Sequence, residues 1–110
     1  MIKPTVGRIV LYRPAGVNDR ALARNGGEPL AAMVVCVHGD SCVNLVVFDA
    51  TGCAWPKLSV RLVQPHEPIE NDTPHCHWMD YQLGQAAKVE ALERDADRAA
   101  RQVTGAAPAA

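Results

Sequence analysis

Short apolar runs fill the first half of the chain and predict β-strands. Residues 6–12 are rich in β-branched side chains and end at Arg13-Pro14, while residues 30–38 and 41–48 are almost continuously apolar. Runs of this length and composition are typical of strands. The second and third runs are apolar on both faces, which predicts central strands of a small closed or covered sheet.

A Gly-Asp pair separates the two central runs. Gly39-Asp40 between β-rich segments predicts a hairpin with a two-residue turn. Such a turn places His38 opposite Ser41. It also places Cys36 opposite Val43.

The chain after the hairpin predicts shorter extended pieces. Residues 53–55 begin a strand that Pro56 interrupts. Residues 58–63 alternate apolar and polar side chains, which predicts a strand with Leu58 on its buried face. A proline-rich loop follows, and HCHW at 75–78 forms a further short extended piece.

A helix is predicted for residues 81–104, where apolar side chains recur every three or four positions. Asp80 suits the N-cap, and Gly105 suits the position at which a helix stops. At 1.5 Å per residue this helix is about 36 Å long. A barrel domain of this size is roughly 30 Å across. The helix therefore packs either on its own sheet or, in part, on a copy of itself, and the latter predicts a homo-oligomer.

The element order predicts a mainly β fold. About five short strands followed by one helix indicate a small antiparallel β-barrel, of Src-homology-3-like size, with one long C-terminal α-helix. We expect the barrel at 1–80, the helix at 81–104 and a frayed tail at 105–110. The barrel contains a loop at 14–29 that is long for a compact domain, and such loops are usually functional or mobile.

Composition narrows the class of protein. The chain is 48% hydrophobic and 21% charged with a net charge of −1, which argues against a disordered chain and against a strongly basic nucleic-acid binder. Neither a transmembrane run nor an export signal is apparent, so we expect a cytoplasmic protein. Thiols stay reduced in the cytoplasm, so we expect four free cysteines. These four are Cys36, Cys42, Cys53 and Cys76. Cys36, Cys42 and Cys53 have apolar neighbours and are expected in the core. Disulfides and a metal site are the alternatives.

Histidine and cysteine spacing offers a metal site as one alternative. His75 and His77 point to one side of an extended segment, and Cys36 and His38 have the same spacing. Together they would supply four tetrahedral zinc ligands if their segments were neighbours. The competing interpretation is that these are packed or loop residues. No nucleophile elbow or phosphate-binding glycine loop is present, so we expect neither an enzyme nor a cofactor.

Anion binding is the better supported chemistry. Residues 1–27 hold five cationic side chains and one acid. Arginine suits phosphate, and an aromatic ring offers a flat face to a base. The alternative is that the arginines are solvated and the tryptophans belong to the core. The candidate ligand-binding residues are Arg8, Arg13, Trp55, His77 and Trp78.

Three segments resemble a family of small, uncharacterised phage and prophage accessory proteins. They are KPTVGRIVLY at 3–12, HGDSCVNLVVFD at 38–49 and HCHWMDYQ at 75–82. The resemblance implies a protein of the host bacterial cytoplasm or the virion. Small oligomeric phage proteins of this kind can act as sponges, so our first hypothesis is a non-enzymatic binding protein that sequesters a host nucleotide immune signal. A virion or assembly component is the alternative, and a zinc-binding protein is the second alternative.

Overall fold

The computed structural model describes residues 1–106, with side chains described for residues 1–101. The barrel residues Met1–Met79 and the helix form two separate compact units. The elements are β1 (Ile9–Arg13), a turn of 3-10 helix (Val17–Asp19), β2 (Leu30–Gly39), β3 (Cys42–Phe48), β4 (Ala54–Val63), β5 (His75–His77) and α1 (Asp80–Ala106).

The five strands close into a barrel in sequence order, with β5 pairing back onto β1. This confirms the predicted small β-barrel with one C-terminal helix. One pairing differs, because β5 runs parallel to β4, with Arg61 beside His75. A tight turn would have returned the chain antiparallel. The connection at 64–74 instead carries the chain back to the level of Arg61, where β5 begins in the same direction as β4.

The core follows from the two-residue period of the strands. Alternate side chains point inward, and those of Val10, Tyr12, Leu45 and Val47 are at most 1% exposed. Cys76 of β5 lies opposite Tyr12 of β1 and is also fully buried. The odd-numbered neighbours on β1 and β5 consequently point outward.

The predicted hairpin register is wrong. Val37 pairs with Val43 and Cys36 with Asn44, so the turn is formed by Asp40 and Ser41. Register shifts on β2, one beyond Val34 and one beyond Val37, explain the difference. Each β-bulge changes which residues face each other, and apolar patterning does not reveal bulges.

β4 runs unbroken through Pro56, which pairs with Val46. The proline is tolerated because this half of β4 is an edge, where a missing N–H leaves no neighbouring strand unpaired. Leu58 was predicted to be buried and is 73% exposed. A register shift opposite Asn44 inserts Ser59 as an extra residue, and this turns Leu58 outward.

The cysteines are free thiols, but only Cys76 is buried. Cys36 and Cys42 are half-buried and Cys53 is exposed, so the predicted core position is wrong for Cys53. It precedes β4 in a turn, where a small apolar residue has no core to enter.

The helix begins at Asp80 and continues through Gly105 to Ala106, two residues beyond the predicted end. Residues 107–110 of the predicted tail lie outside the described residues. Every described side chain from Leu92 to Arg101 is exposed. No helix within residues 1–106 has the length and apolar character needed to cross a membrane.

Candidate ligand-binding site

The barrel wall is incomplete along the first half of β4. β5 has three residues and pairs only with Arg61–Val63. Within residues 1–106, Ala54–Val60 therefore has β3 on one side and no strand on the other. A cavity of about 340 Å³, which we call the side pocket, opens beside this unpaired stretch. Its lining residues are Tyr12, Asn18, Asp19, Lys57, Leu58, Ser59, Val60, Thr73 and Pro74.

A buried ion pair forms one wall of the side pocket. The Lys57 ammonium lies 2.7 Å from Oδ1 of Asp19, whose side chain is 3% exposed. Oδ2 accepts the Tyr12 hydroxyl at 2.7 Å and the Ala15 backbone N–H at 3.0 Å. Both carboxylate oxygens thus have donors, which a buried charge requires.

The surroundings keep these groups in fixed protonation states. Burial alone would raise the pKa of Asp19, but hydrogen bonds from Lys57, Tyr12 and Ala15 outweigh it and hold that pKa below its usual value. Burial, and then the adjacent carboxylate, raises the pKa of the Tyr12 hydroxyl. Asp19 therefore stays an anion at neutral pH, and Tyr12 stays a hydrogen-bond donor.

Lys57 keeps donor capacity for a ligand. Its ammonium has three protons, and its acceptors are Asp19 and the backbone carbonyl of Asn18 at 3.3 Å. The side chain is 19% exposed, whereas its acid partner is shielded. The lining also contains the hydroxyls of Ser59 and Thr73. The side pocket thus combines a cationic donor and two hydroxyls with apolar lining residues.

Ser59 has a strained backbone at the pocket lining. Its φ is 51°, and among residues 1–106 it is the sole non-glycine residue with positive φ. Asn44 stabilises the bulge, since its Oδ1 accepts the Ser59 backbone N–H at 2.8 Å and lies 2.9 Å from Nε2 of His38. Bulges and strained residues concentrate next to binding sites, which favours a functional role for this segment.

The long loop after β1 is fastened to the barrel and supplies the acid. Leu22 is buried, and the carbonyl of Ala23 accepts the backbone N–H of Ala50 at 2.8 Å. The Arg13 guanidinium donates to the Gly27 carbonyl at 2.8 Å. Between these anchors, the 3-10 turn places Asp19 against β1 and β4.

Neither predicted arginine lines the side pocket. Arg8 is exposed, and its guanidinium lies 3.4 Å from Oγ1 of Thr5. Arg13 points outward from β1 and pairs across strands with His75, next to His77 of the same strand. Arg13 and His77 therefore lie on neighbouring strands without pairing directly, because the strand partner of His77 is Leu11.

The tryptophans have structural roles. Nε1 of the half-buried Trp55 donates to Oδ2 of Asp49 at 3.0 Å. Trp78 is 2% exposed, and its Nε1 donates to Oε1 of Gln64 at 3.3 Å. The predicted role of Trp78 as a flat face for a ligand is wrong, because the ring fills the core.

Sequence reasoning missed Lys57, Asp19 and Ser59. Lys57 occupies an inward-facing position opposite Leu45. The other inward-facing residues of β4 are apolar, namely Trp55, Val60 and Leu62. An ionisable side chain at a buried position is a candidate for function or for a buried pair. Its partner lies 38 residues earlier in an irregular loop, and no local pattern links the two.

The four candidate metal ligands do not meet. Cys36 and His38 lie on β2, and β1 separates that strand from His75 and His77 on β5. No group of three or more His, Cys, Asp or Glu side chains in the described part of the chain is placed to hold a metal ion. The four-ligand zinc site that the spacing offered as an alternative is not formed by these residues.

Comparison of the chain with protein-family models, with curated proteins and with solved structures finds no match.

Proposed function

We propose that this chain is a non-enzymatic binding protein that holds a small anionic molecule in the side pocket. The observation that carries the proposal is the Lys57 ammonium, fixed by a shielded acid and retaining a donor at a 340 Å³ cavity. That volume lies at the lower end of the range for small-molecule sites. The hydroxyls of Ser59 and Thr73 would add neutral donors to the same ligand.

The protonation states favour binding over catalysis. A general acid or base works best with a pKa near the working pH. Here the pKa of Asp19 is lowered and that of Tyr12 is raised, so both move away from neutrality. Both oxygens of Asp19 also accept hydrogen bonds already, which leaves the carboxylate poorly placed to take a proton from a substrate.

The resemblance to phage accessory proteins suggests which anion to test first. A host nucleotide immune signal bears phosphate, which suits a lysine donor. Sequestering that signal would make the chain an anti-defence sponge. Its place of action would be the host bacterial cytoplasm.

Calorimetry with linear nucleotides, cyclic nucleotides and inorganic phosphate tests the proposal. Leu58→Trp should fill the side pocket without disturbing the core, because Leu58 is exposed, and it should weaken binding more than tenfold. Val6→Trp, at a similarly exposed position, is the matched control and should bind as the wild type does. Equal binding by both variants, or no ligand below about 100 μM, would refute the proposal.

A second candidate is an interaction protein, as a homo-oligomer or virion component. One cross-strand row on the outer face of the barrel carries no charged or polar side chain. The outer face of a small barrel usually contacts water. An apolar row on that face therefore favours binding of another protein surface there. The row consists of Ile9, Met33, Val46 and Pro56.

Light scattering with charge substitutions tests this candidate. Val46→Lys should lower the oligomeric state, because a cation would be buried in the contact. Ala50→Lys, at an exposed turn position, should leave it unchanged. A monomeric wild-type chain of 11.8 kDa would exclude the oligomer.

A further inference from the structure

His75 and His77 form a pair of imidazoles outside the side pocket. They lie two residues apart on β5, and both point outward because Cys76 between them faces the core. Their ring centroids are 6.2 Å apart and the ring planes are inclined by 37°. The register of the barrel thus places two nitrogen ligands side by side.

The hydrogen bonds of each ring fix which nitrogen is free. Nδ1 of His75 lies 2.9 Å from the carbonyl oxygen of Thr73, and Nδ1 of His77 lies 3.1 Å from that of Trp78. A carbonyl only accepts, so Nδ1 carries the proton in each neutral ring and Nε2 carries the lone pair. Metal-binding histidines are usually oriented in this way by a backbone acceptor.

The two Nε2 atoms are not engaged by other described groups of the protein. Nε2 of neither ring has a hydrogen-bond partner among the described residues, although His75 is 3% exposed overall. No fully buried side-chain nitrogen or oxygen in that part of the chain lacks a partner. Nε2 of His75 is therefore not completely buried, and the His77 side chain is half-buried.

We propose that His75 and His77 bind one late first-row divalent transition metal per chain through Nε2 of both rings. Imidazole nitrogen suits zinc, nickel and copper, with metal–nitrogen bonds of about 2.1 Å. Two rings on one tetrahedral metal have centroids roughly 5 Å apart. The observed spacing is about 1 Å longer, so the half-buried His77 ring has to turn toward His75 when the metal binds. Two protein ligands leave the remaining positions open.

The cationic neighbours of the pair do not block it. Arg13 and Arg61 flank His75 on the adjacent strands. Arg13 donates to the Gly27 carbonyl, and Arg61 forms an ion pair with Glu67 at 3.2 Å. Both guanidinium groups thus have acceptors of their own, and Glu67 offsets one of the charges.

Calorimetric titration of the full chain with ZnCl₂ and with NiCl₂, after chelator treatment, tests the site. We expect one metal ion per chain and at least a tenfold loss of affinity in His77→Gln. His66→Gln and His38→Gln, which change other exposed histidines, should bind as the wild type does. Thermal melting of each variant shows that it folds, so a loss of binding is not a loss of structure.

Electron paramagnetic resonance of the Cu²⁺-loaded chain identifies the ligands. Hyperfine coupling to two imidazole nitrogens in the wild type, and to one in His77→Gln, supports the site. Unchanged coupling or affinity in a folded His77→Gln variant would overturn it. Neither His75 nor His77 lines the side pocket, so this result is independent of the anion titration.

Discussion

The two ends of the barrel are closed by different chemistry. Where β4 and β5 end, the buried Gln64 amide donates to the carbonyls of Ile2 and Asp40 and accepts from Ile2 N–H and Trp78 Nε1. Every hydrogen-bonding position of that amide is filled. Where β1 ends, the Asp19–Lys57 pair closes the barrel and Lys57 keeps donor capacity. At the Gln64 end, which we call the sealed end, all hydrogen-bonding groups of the amide are used within the protein. At the Asp19–Lys57 end, which we call the open end, the lysine keeps protons that can bind a ligand.

The largest effect should come from removing the cation at the open end. Lys57→Met leaves Asp19 buried without its ion-pair partner, which should cost about 3 kcal/mol of unfolding free energy. Urea denaturation measures it. Lys57→Arg keeps the positive charge, and its unfolding free energy should fall by less than that of Lys57→Met. A Lys57→Met variant as stable as the wild type would show that the pair is not buried in solution.

Removing the amide at the sealed end should cost slightly less. Gln64→Leu has a similar size but strands the Trp78 indole N–H and backbone groups of Ile2 and Asp40, at about 2 kcal/mol. If Gln64→Leu had the same unfolding free energy as the wild type in urea denaturation, the hydrogen bonds of the Gln64 amide would not stabilise this end of the barrel.

Relieving the backbone strain at Ser59 should stabilise the chain. A left-handed conformation costs a non-glycine residue roughly 1–2 kcal/mol, and the greater freedom of glycine when unfolded offsets part of the gain. We expect Ser59→Gly to raise stability by about 0.5–1 kcal/mol. A destabilised Ser59→Gly variant would mean that the hydroxyl itself supports the bulge.

The smallest expected difference between the two ends is in how the unfolding free energy depends on pH. Because the pKa of Asp19 lies below its usual 3.8 in the folded chain, its contribution is fully present above that pH. It is lost as pH falls through the folded value. Wild-type stability should therefore decline more steeply below about pH 4 than that of Asp19→Asn. Parallel declines in acid denaturation would contradict the lowered pKa.

The barrel was predictable because its signals are local. Apolar runs and turn residues located β2 and β3 to within one residue at each end, and the helix to within two. The parallel pairing of β5 could not be predicted, since pairing direction depends on the path of an irregular connection. The bulge at Ser59 could not be predicted either, because nothing in the alternation from Leu58 to Val63 indicates an extra residue.

The candidate site was harder to predict because it depends on long-range pairing. Arg13 and His77 lie on the neighbouring strands β1 and β5, but Arg13 pairs with His75 and neither residue lines the side pocket. The tryptophans were assigned to a ligand by residue type alone, and Trp78 proved to be held by Gln64. Asp19 and Lys57 meet only because the loop folds back over an incomplete wall.

The short β5 also bears on how the chain avoids self-association through its backbone. Within residues 1–106 no strand pairs with the second edge of Ala54–Val60, and such edges can recruit a strand from another molecule. Natural sheets guard their edges with prolines and bulges, and this half of β4 has both, at Pro56 and Ser59. The two irregularities that shape the wall of the side pocket thus also protect this edge against β-sheet aggregation.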